Sequence, residues 1–149
     1  MVCLGNICRS PLAEGALRFM AGGHALAVRV DSAGTSDWHV GSPPDRRAQA
    51  AARDGGFDIS GQRARQVCAA DFHRFDYVLA MEPANLAALQ RVRPVDGTAH
   101  VGLLLDFAPD AGRPDVPDPY YGGPDDFAET RRLVLLGAEG LMTHLRAAR

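Results

Sequence analysis

Apolar positions along the chain alternate between helical stripes and short strand-like runs. Ala13, Ala16, Leu17 and Met20 recur every three to four positions, which marks one face of a helix. Ser10-Pro11 just ahead of them predicts an N-cap followed by proline at the first helical position, where its missing N–H costs nothing. Gly22-Gly23 predicts the stop. Leu26 to Val30 alternates as a strand does, and Ser32 to Pro44, with Gly34, Gly41 and a Pro-Pro pair, predicts a long loop. Asp45 to Arg53 is helical in composition and ends at Gly55-Gly56. Phe75 to Met81 predicts a strand centred on Tyr77, Val78 and Leu79, and Glu82 to Gln90 a helix carrying Leu86 and Leu89. Val101 to Leu105 fits a strand or a buried turn of helix, because pattern does not separate the two over so short a run. Asp106 to Gly123 is the longest polar loop. A last helix is expected from Asp125 or Asp126, with Phe127, Thr130, Val134, Ala138, Leu141 and Leu145 on its buried face. Asp125 and Asp126 suit the positive end of that helix as caps rather than as metal ligands.

This alternation predicts an α/β domain, a three-layer sandwich around a small parallel sheet of about four strands. Ligands in such sheets bind beyond the carboxyl ends of the strands. The first strand stands out. A typical strand has about 5 or 6 residues, and here Met1 and Val2 alone precede a polar loop that starts at Cys3, so the first strand is expected to be truncated.

Composition narrows the possibilities. The 149 residues suit one domain, 1–149, and 46% apolar with 23% charged residues is ordinary for a globular chain. A formal charge of -2 argues against general nucleic-acid binding, and no apolar run reaches membrane-spanning length. All 16 basic residues are Arg, which excludes Schiff-base chemistry and a phosphate-loop lysine. Three cysteines, Cys3, Cys8 and Cys68, make a poor disulfide framework. With no charged-plus-apolar leader, they predict a cytoplasmic setting. Cys68 is read as a small buried hydrophobe. His24, His39, His73, His100 and His144 show no metal-ligand spacing, so neither metal nor cofactor is expected.

The chemistry concentrates in Cys3-Leu4-Gly5-Asn6-Ile7-Cys8-Arg9-Ser10-Pro11, which runs straight into a helix. Such a turn aims backbone N–H groups of Leu4, Gly5, Asn6, Ile7 and Cys8 inward, and the helix adds its positive end. Arg9 suits bidentate binding of two phosphate oxygens. Cys3 in that field is a candidate thiolate nucleophile, and Ser10 a donor that stabilises the sulfur as phosphate leaves.

The whole string resembles the signature of the low-molecular-weight protein tyrosine phosphatases. Asp118-Pro119-Tyr120-Tyr121-Gly122 resembles that family's general-acid loop, and Asp31-Ser32-Ala33-Gly34-Thr35, followed by Trp38 and Gly41, is a third match. The resemblance implies hydrolysis of protein phosphotyrosine through a phosphocysteine on Cys3. Arg9 would bind phosphate, and Asp118 would act as general acid and then base. It implies phosphotyrosine proteins as substrates, inorganic phosphate as product, and no nucleic-acid or membrane partner. Asn6 and Ser32 would brace the loop. Gln62 would stand where many members carry a histidine in that network, and Glu82 where they carry aspartate. Trp38, Tyr120 and Tyr121 would wall the substrate slot, although a lone core aromatic is the alternative for Trp38 and loop packing for one tyrosine. Cys8 would either pair with Cys3 in a protective disulfide or pack under the loop.

Ile7 resembles the tyrosine-directed branch, whereas the arginine-phosphatase branch tends to have threonine there. A phosphatase for phosphoarginine or small aryl phosphates is therefore one alternative. Another is an impaired or non-catalytic phosphate-binding module, because of the short first strand. The related arsenate reductases need more cysteines than Cys68 supplies. His39, beside Trp38, is a candidate substrate contact, and Asp115 is read as loop structure.

Overall fold

Four short parallel strands form the sheet in this computed structural model, which describes residues 1–24 and 26–149. They are β1 (Val2–Cys3), β2 (Ala33–Gly34), β3 (Tyr77–Ala80) and β4 (His100–Leu103), in the spatial order β2-β1-β3-β4. Every pairing is parallel, with Val2 opposite Ala33 on one side and Ala80 on the other. Helices α1 (Arg9–Gly22), α2 (Arg46–Asp54) and α5 (Pro124–Ala147) cover one face. The short α3 (Asp71–Arg74) and α4 (Pro83–Val92) cover the other. The expected three-layer sandwich is therefore present.

Two apolar clusters flank the sheet. Leu12, Ala13, Ala16, Leu79, Leu104, Val134 and Ala138 fill the first, beneath α1 and α5. Val2, Phe72, Val78, Ala80 and Leu89 fill the second, beneath α3 and α4. The stripes foreseen on α1 and α5 are the buried faces, with Met20 and Leu145 at the margins. Gly23 caps α1, and Asp45 caps α2 by accepting from the Arg47 N–H at 2.8 Å.

Several expectations need correction. Helix α1 starts at Arg9 with Cys8 as N-cap, so Ser10 lies inside the first turn. Its hydroxyl is engaged by loop side chains instead of capping. Helix α5 starts at Pro124, and the Asp126 carboxylate accepts from the Gly123 N–H at 2.8 Å, which confirms a capping role. The run Val101 to Leu105 is both of its alternatives in succession, a strand through Leu103 and then a 3-10 turn at Leu104–Phe107.

Leu26 to Val30 is not a strand, and β2 falls inside the predicted loop instead. Leu26 and Val30 do point into the core, so the alternation was informative. A ladder also needs a partner, and β1 spans only two residues. The space between this segment and β3 is a cavity of about 370 Å³, lined by Met1, Leu17, Leu26, Val28, Val78 and Leu141 among others. Met1 is among its lining residues, its ammonium donating to the Asp31 carbonyl at 3.0 Å, and burial pushes the ammonium pKa below the ordinary value. Cys68 is exposed rather than buried, because it sits in the loop leading into α3.

Candidate active site

The loop from Cys3 to Arg9 joins the carboxyl end of β1 to the N-terminus of α1. Among the described residues, no backbone N–H of residues 4–8 donates to an acceptor within the protein. Unpaired N–H groups gathered beside a helix N-terminus form a ready anion cradle. The loop's carbonyls are tied down from outside: Thr35 N–H donates to Cys3 at 2.9 Å, Ser36 N–H to Leu4 at 3.0 Å and Asp45 N–H to Ile7 at 2.8 Å. Gly34 permits this approach, since a Cβ there would stand 2.8 Å from the Leu4 carbonyl oxygen.

Asn6 holds the turn in shape. Its backbone takes the left-handed conformation (φ 56°), which Asn tolerates better than most residues. Its amide donates to Ser10 Oγ at 2.8 Å and Ser32 Oγ at 2.9 Å, and its Oδ1 accepts from the Arg65 N–H at 3.0 Å. Ser32 in turn donates to Glu14 at 2.5 Å, and Glu14 pairs with Arg18 at 2.8 Å. Burial pushes the Glu14 carboxyl above its ordinary value, against the pull of Ser32 and Arg18. Ser32 has spent its one proton on Glu14 and Asn6 donates to both serines. Ser10 keeps its one proton for two acceptors within reach, Cys3 Sγ at 3.1 Å and the Ala33 carbonyl at 3.4 Å, the sulfur being the nearer.

Arg9 is buried to 2% exposure, which is uncommon for a guanidinium unless it is paired. Its partners are Glu82 at 3.2 Å, Asp118 at 3.5 Å and the Val116 carbonyl at 3.2 Å. The loop 112–123 thus lies over the cradle with Asp118 on the guanidinium. Tyr120 N–H donates to the other Asp118 oxygen at 3.1 Å. Cys3 and Cys8 are both buried free thiols, and burial, then the nearby Asp45, pushes the Cys8 thiol strongly up.

Around the mouth, Trp38 is 70% exposed and Tyr121 96%, so Trp38 is not a core aromatic. Tyr120 is less open and stacks edge-on against Tyr121. His39 lies over Gly5, within about 3.0 Å of where a Cβ would be. Asp115 pairs with Arg113 and stays loop structure. Gln62 is not in the Asn6 network: its amide donates to the Pro11 carbonyl at 3.1 Å, and Arg65 N–H holds Asn6 instead. Reading the sequence did not single out Glu14, Arg18, Arg65 or Arg47. The spacing of Glu14 and Arg18, four apart on one helix, was the available signal.

Comparison with known proteins agrees with this geometry. The profile of the family described as low molecular weight phosphotyrosine protein phosphatase matches residues 1–149. The low molecular weight protein-tyrosine-phosphatase YfkJ of Bacillus subtilis is 41% identical over 147 residues, covering 97% of this chain and 93% of that protein. The crystal structure of a protein tyrosine phosphatase from Entamoeba histolytica superposes with a TM-score of 0.94 at 34% identity, covering 99% and 95% of the two chains. That of a Drosophila arginine phosphatase superposes with a TM-score of 0.89 at 31% identity, covering 97% and 95%.

Proposed function

Because the chain belongs to the low-molecular-weight phosphotyrosine protein phosphatase family, it is a cysteine-dependent phosphatase of phosphotyrosine, and we propose that Cys3, Arg9 and Asp118 divide its chemistry. The observation that carries this is the buried Arg9 guanidinium at the end of the cradle, with Asp118 against it. Phosphate oxygens take the free N–H groups of Leu4 to Cys8 and the guanidinium. The Cys3 thiolate attacks phosphorus as the bond to the phenolic oxygen breaks, and protonated Asp118 gives its proton to that oxygen. The Asp118 carboxylate then takes a proton from water, whose oxygen attacks phosphorus, and Cys3 leaves as a thiolate stabilised by Ser10. Fixed donors and Arg9 carry the equatorial charge of the transition state.

Trp38, Tyr120 and Tyr121 supply aromatic walls for the tyrosine ring, and Ile7 favours tyrosine over arginine as the phosphorylated residue. Asn6 and Ser32 brace the cradle. Cys8, a buried free thiol of the same loop, would serve as the reversible disulfide partner of Cys3 under oxidation. We read residues 1–149 as one domain, working on phosphotyrosine proteins and releasing phosphate. Among the described residues, no helix is long and apolar enough to cross a membrane. Free thiols at Cys3, Cys8 and Cys68 favour a reducing, cytoplasmic setting.

Aryl phosphate hydrolysis by the parent, Cys3→Ser and Asp118→Ala tests the roles. The first change is expected to abolish turnover and the second to cost about 100-fold or more on poor leaving groups. Turnover that survives both overturns the assignment. Rates on phosphotyrosine, phosphoarginine and phosphoserine peptides test the substrate, and equal or greater activity on phosphoarginine would sink the tyrosine reading.

A further inference from the structure

We propose that Arg47 is a positioning residue that fixes the distance between the phosphate cradle and the general acid. It lies outside the cradle, on the first turn of α2, and its side chain is 44% exposed. On one side its guanidinium grips Asp45, with Nε on Oδ1 and Nη2 on Oδ2, both at 3.0 Å. Asp45 is itself tied to the cradle, because its N–H donates to the Ile7 carbonyl. On the other side, Arg47 Nη1 donates to the Tyr120 carbonyl at 2.9 Å. Its Cζ also lies 4.7 Å from the centre of the Phe127 ring, and 5.4 Å from that of Tyr120. Phe127 is on α5, so the guanidinium rests on a fixed platform.

Tyr120 makes this geometry matter for the reaction. Its carbonyl is held by Arg47, while its N–H holds the Asp118 carboxylate. Asp118 then returns to the cradle through Arg9. The contacts form a closed circuit: Ile7, Asp45, Arg47, Tyr120, Asp118, Arg9. Before Asp118, the loop is moored by the Val116 N–H to the Met81 carbonyl at 2.8 Å. After Asp118, the bond from Arg47 is the side-chain anchor on the loop's own backbone. Lysine would not serve, since one ammonium cannot present a planar fork to Asp45 and a third donor to Tyr120. Proton transfer to the leaving oxygen is sensitive to displacements of about 1 Å, so slack in this circuit falls on the step that needs Asp118.

The proposal rests on Asp118 being the acid, and the experiment separates the two. Arg47→Met keeps an apolar stem on Phe127 and removes every polar contact. Asp45→Asn keeps a helix cap but removes the charge that the fork grips. Arg47→Lys is the conservative comparison. For each, and for Asp118→Asn, kcat is measured over a series of aryl phosphates with leaving groups of graded acidity, and folding is followed by thermal melting. Arg47→Met is expected to lower kcat roughly tenfold for poor leaving groups and less than about twofold for good ones. KM should change little. Asp45→Asn and Arg47→Lys should show the same slope in smaller measure. A loss in Arg47→Met that is equal across the series overturns the proposal, as does a change confined to KM. A steep slope in Asp118→Asn beside a flat one in Arg47→Met overturns this proposal alone. A flat slope in Asp118→Asn overturns the acid assignment, and this proposal with it.

Discussion

The cavity beside β1 predicts that an apolar extension ahead of Met1 stabilises the protein. About four residues in extended conformation, each advancing about 3.3 Å, run the length of the slot between the Leu26–Val30 segment and β3. Both faces of the sheet are covered, so all four side chains are buried and bring about 6 kcal/mol at about 1.5 each. Ladder bonds to the free edge of β3 bring about 4 kcal/mol. Ordering four residues costs about 6 kcal/mol. Compactness of the unfolded chain reduces the net gain to about 3 kcal/mol. With a urea slope of about 2 kcal/mol per molar, the unfolding midpoint should rise by about 1.5 M.

The extension also removes a pH effect. Burial holds the Met1 ammonium below its ordinary value of about 8. In the window between that lowered value and about 8, the unfolded chain binds more protons, so parent stability rises with pH and levels above about 8. The extended chain has a peptide N–H at that place, so this rise disappears. Urea unfolding of both forms at several pH values tests the reasoning, which fails if midpoints and pH trends coincide.

Three further outcomes are expected. Gly34→Ala puts a Cβ 2.8 Å from the Leu4 carbonyl, which should cost about 1 to 3 kcal/mol in thermal unfolding and lower kcat, because backbone here cannot yield cheaply. Glu14→Gln should remove a loss of stability that the parent shows as pH rises from about 4.5 through the raised Glu14 value, since the buried carboxyl is costly once ionised; urea titration across that range would reveal a persisting loss if this is wrong. Trp38→Ala should change stability by less than about 0.5 kcal/mol while raising KM for phosphotyrosine peptides several-fold, and an unchanged KM would remove Trp38 from the substrate wall.

The cradle was legible because its parts are contiguous: Cys3 to Pro11 spell out a turn, an arginine and a helix start. Asp118 was legible through the distinctive residues around it. Asn6 and Ser32 were legible as braces through the resemblance, but the groups that hold them, and Arg47, were not, because the partners lie far along the chain. Ser32 and Glu14 are 18 positions apart, Asn6 and Arg65 are 59, and Arg47 and Tyr120 are 73. No local pattern records such pairings. Leu26 to Val30 failed for a related reason, since side-chain alternation reports burial, whereas a strand is defined by a neighbour. Gln62 went astray because a backbone N–H of Arg65, which any residue there would supply, meets Asn6.

The groups that hold the Cys3 carbonyl and sulfur, its ladder bond to β2 included, come from chain that follows it. Thr35 grips its carbonyl, Ser10 its sulfur, and Asn6 braces Ser10. The nucleophile is anchored from downstream, like a bridge deck hung from one bank. The residues ahead of it are tied to that same bank, since the Ala33 N–H donates to the Met1 carbonyl at 3.0 Å and the Met1 ammonium to the Asp31 carbonyl at 3.0 Å, on either side of the bracing Ser32. Fusions, labels or stabilising segments attached ahead of Met1 therefore pull on the segment that braces Asn6, and act on how firmly the nucleophile is held as well as on how firmly the domain folds.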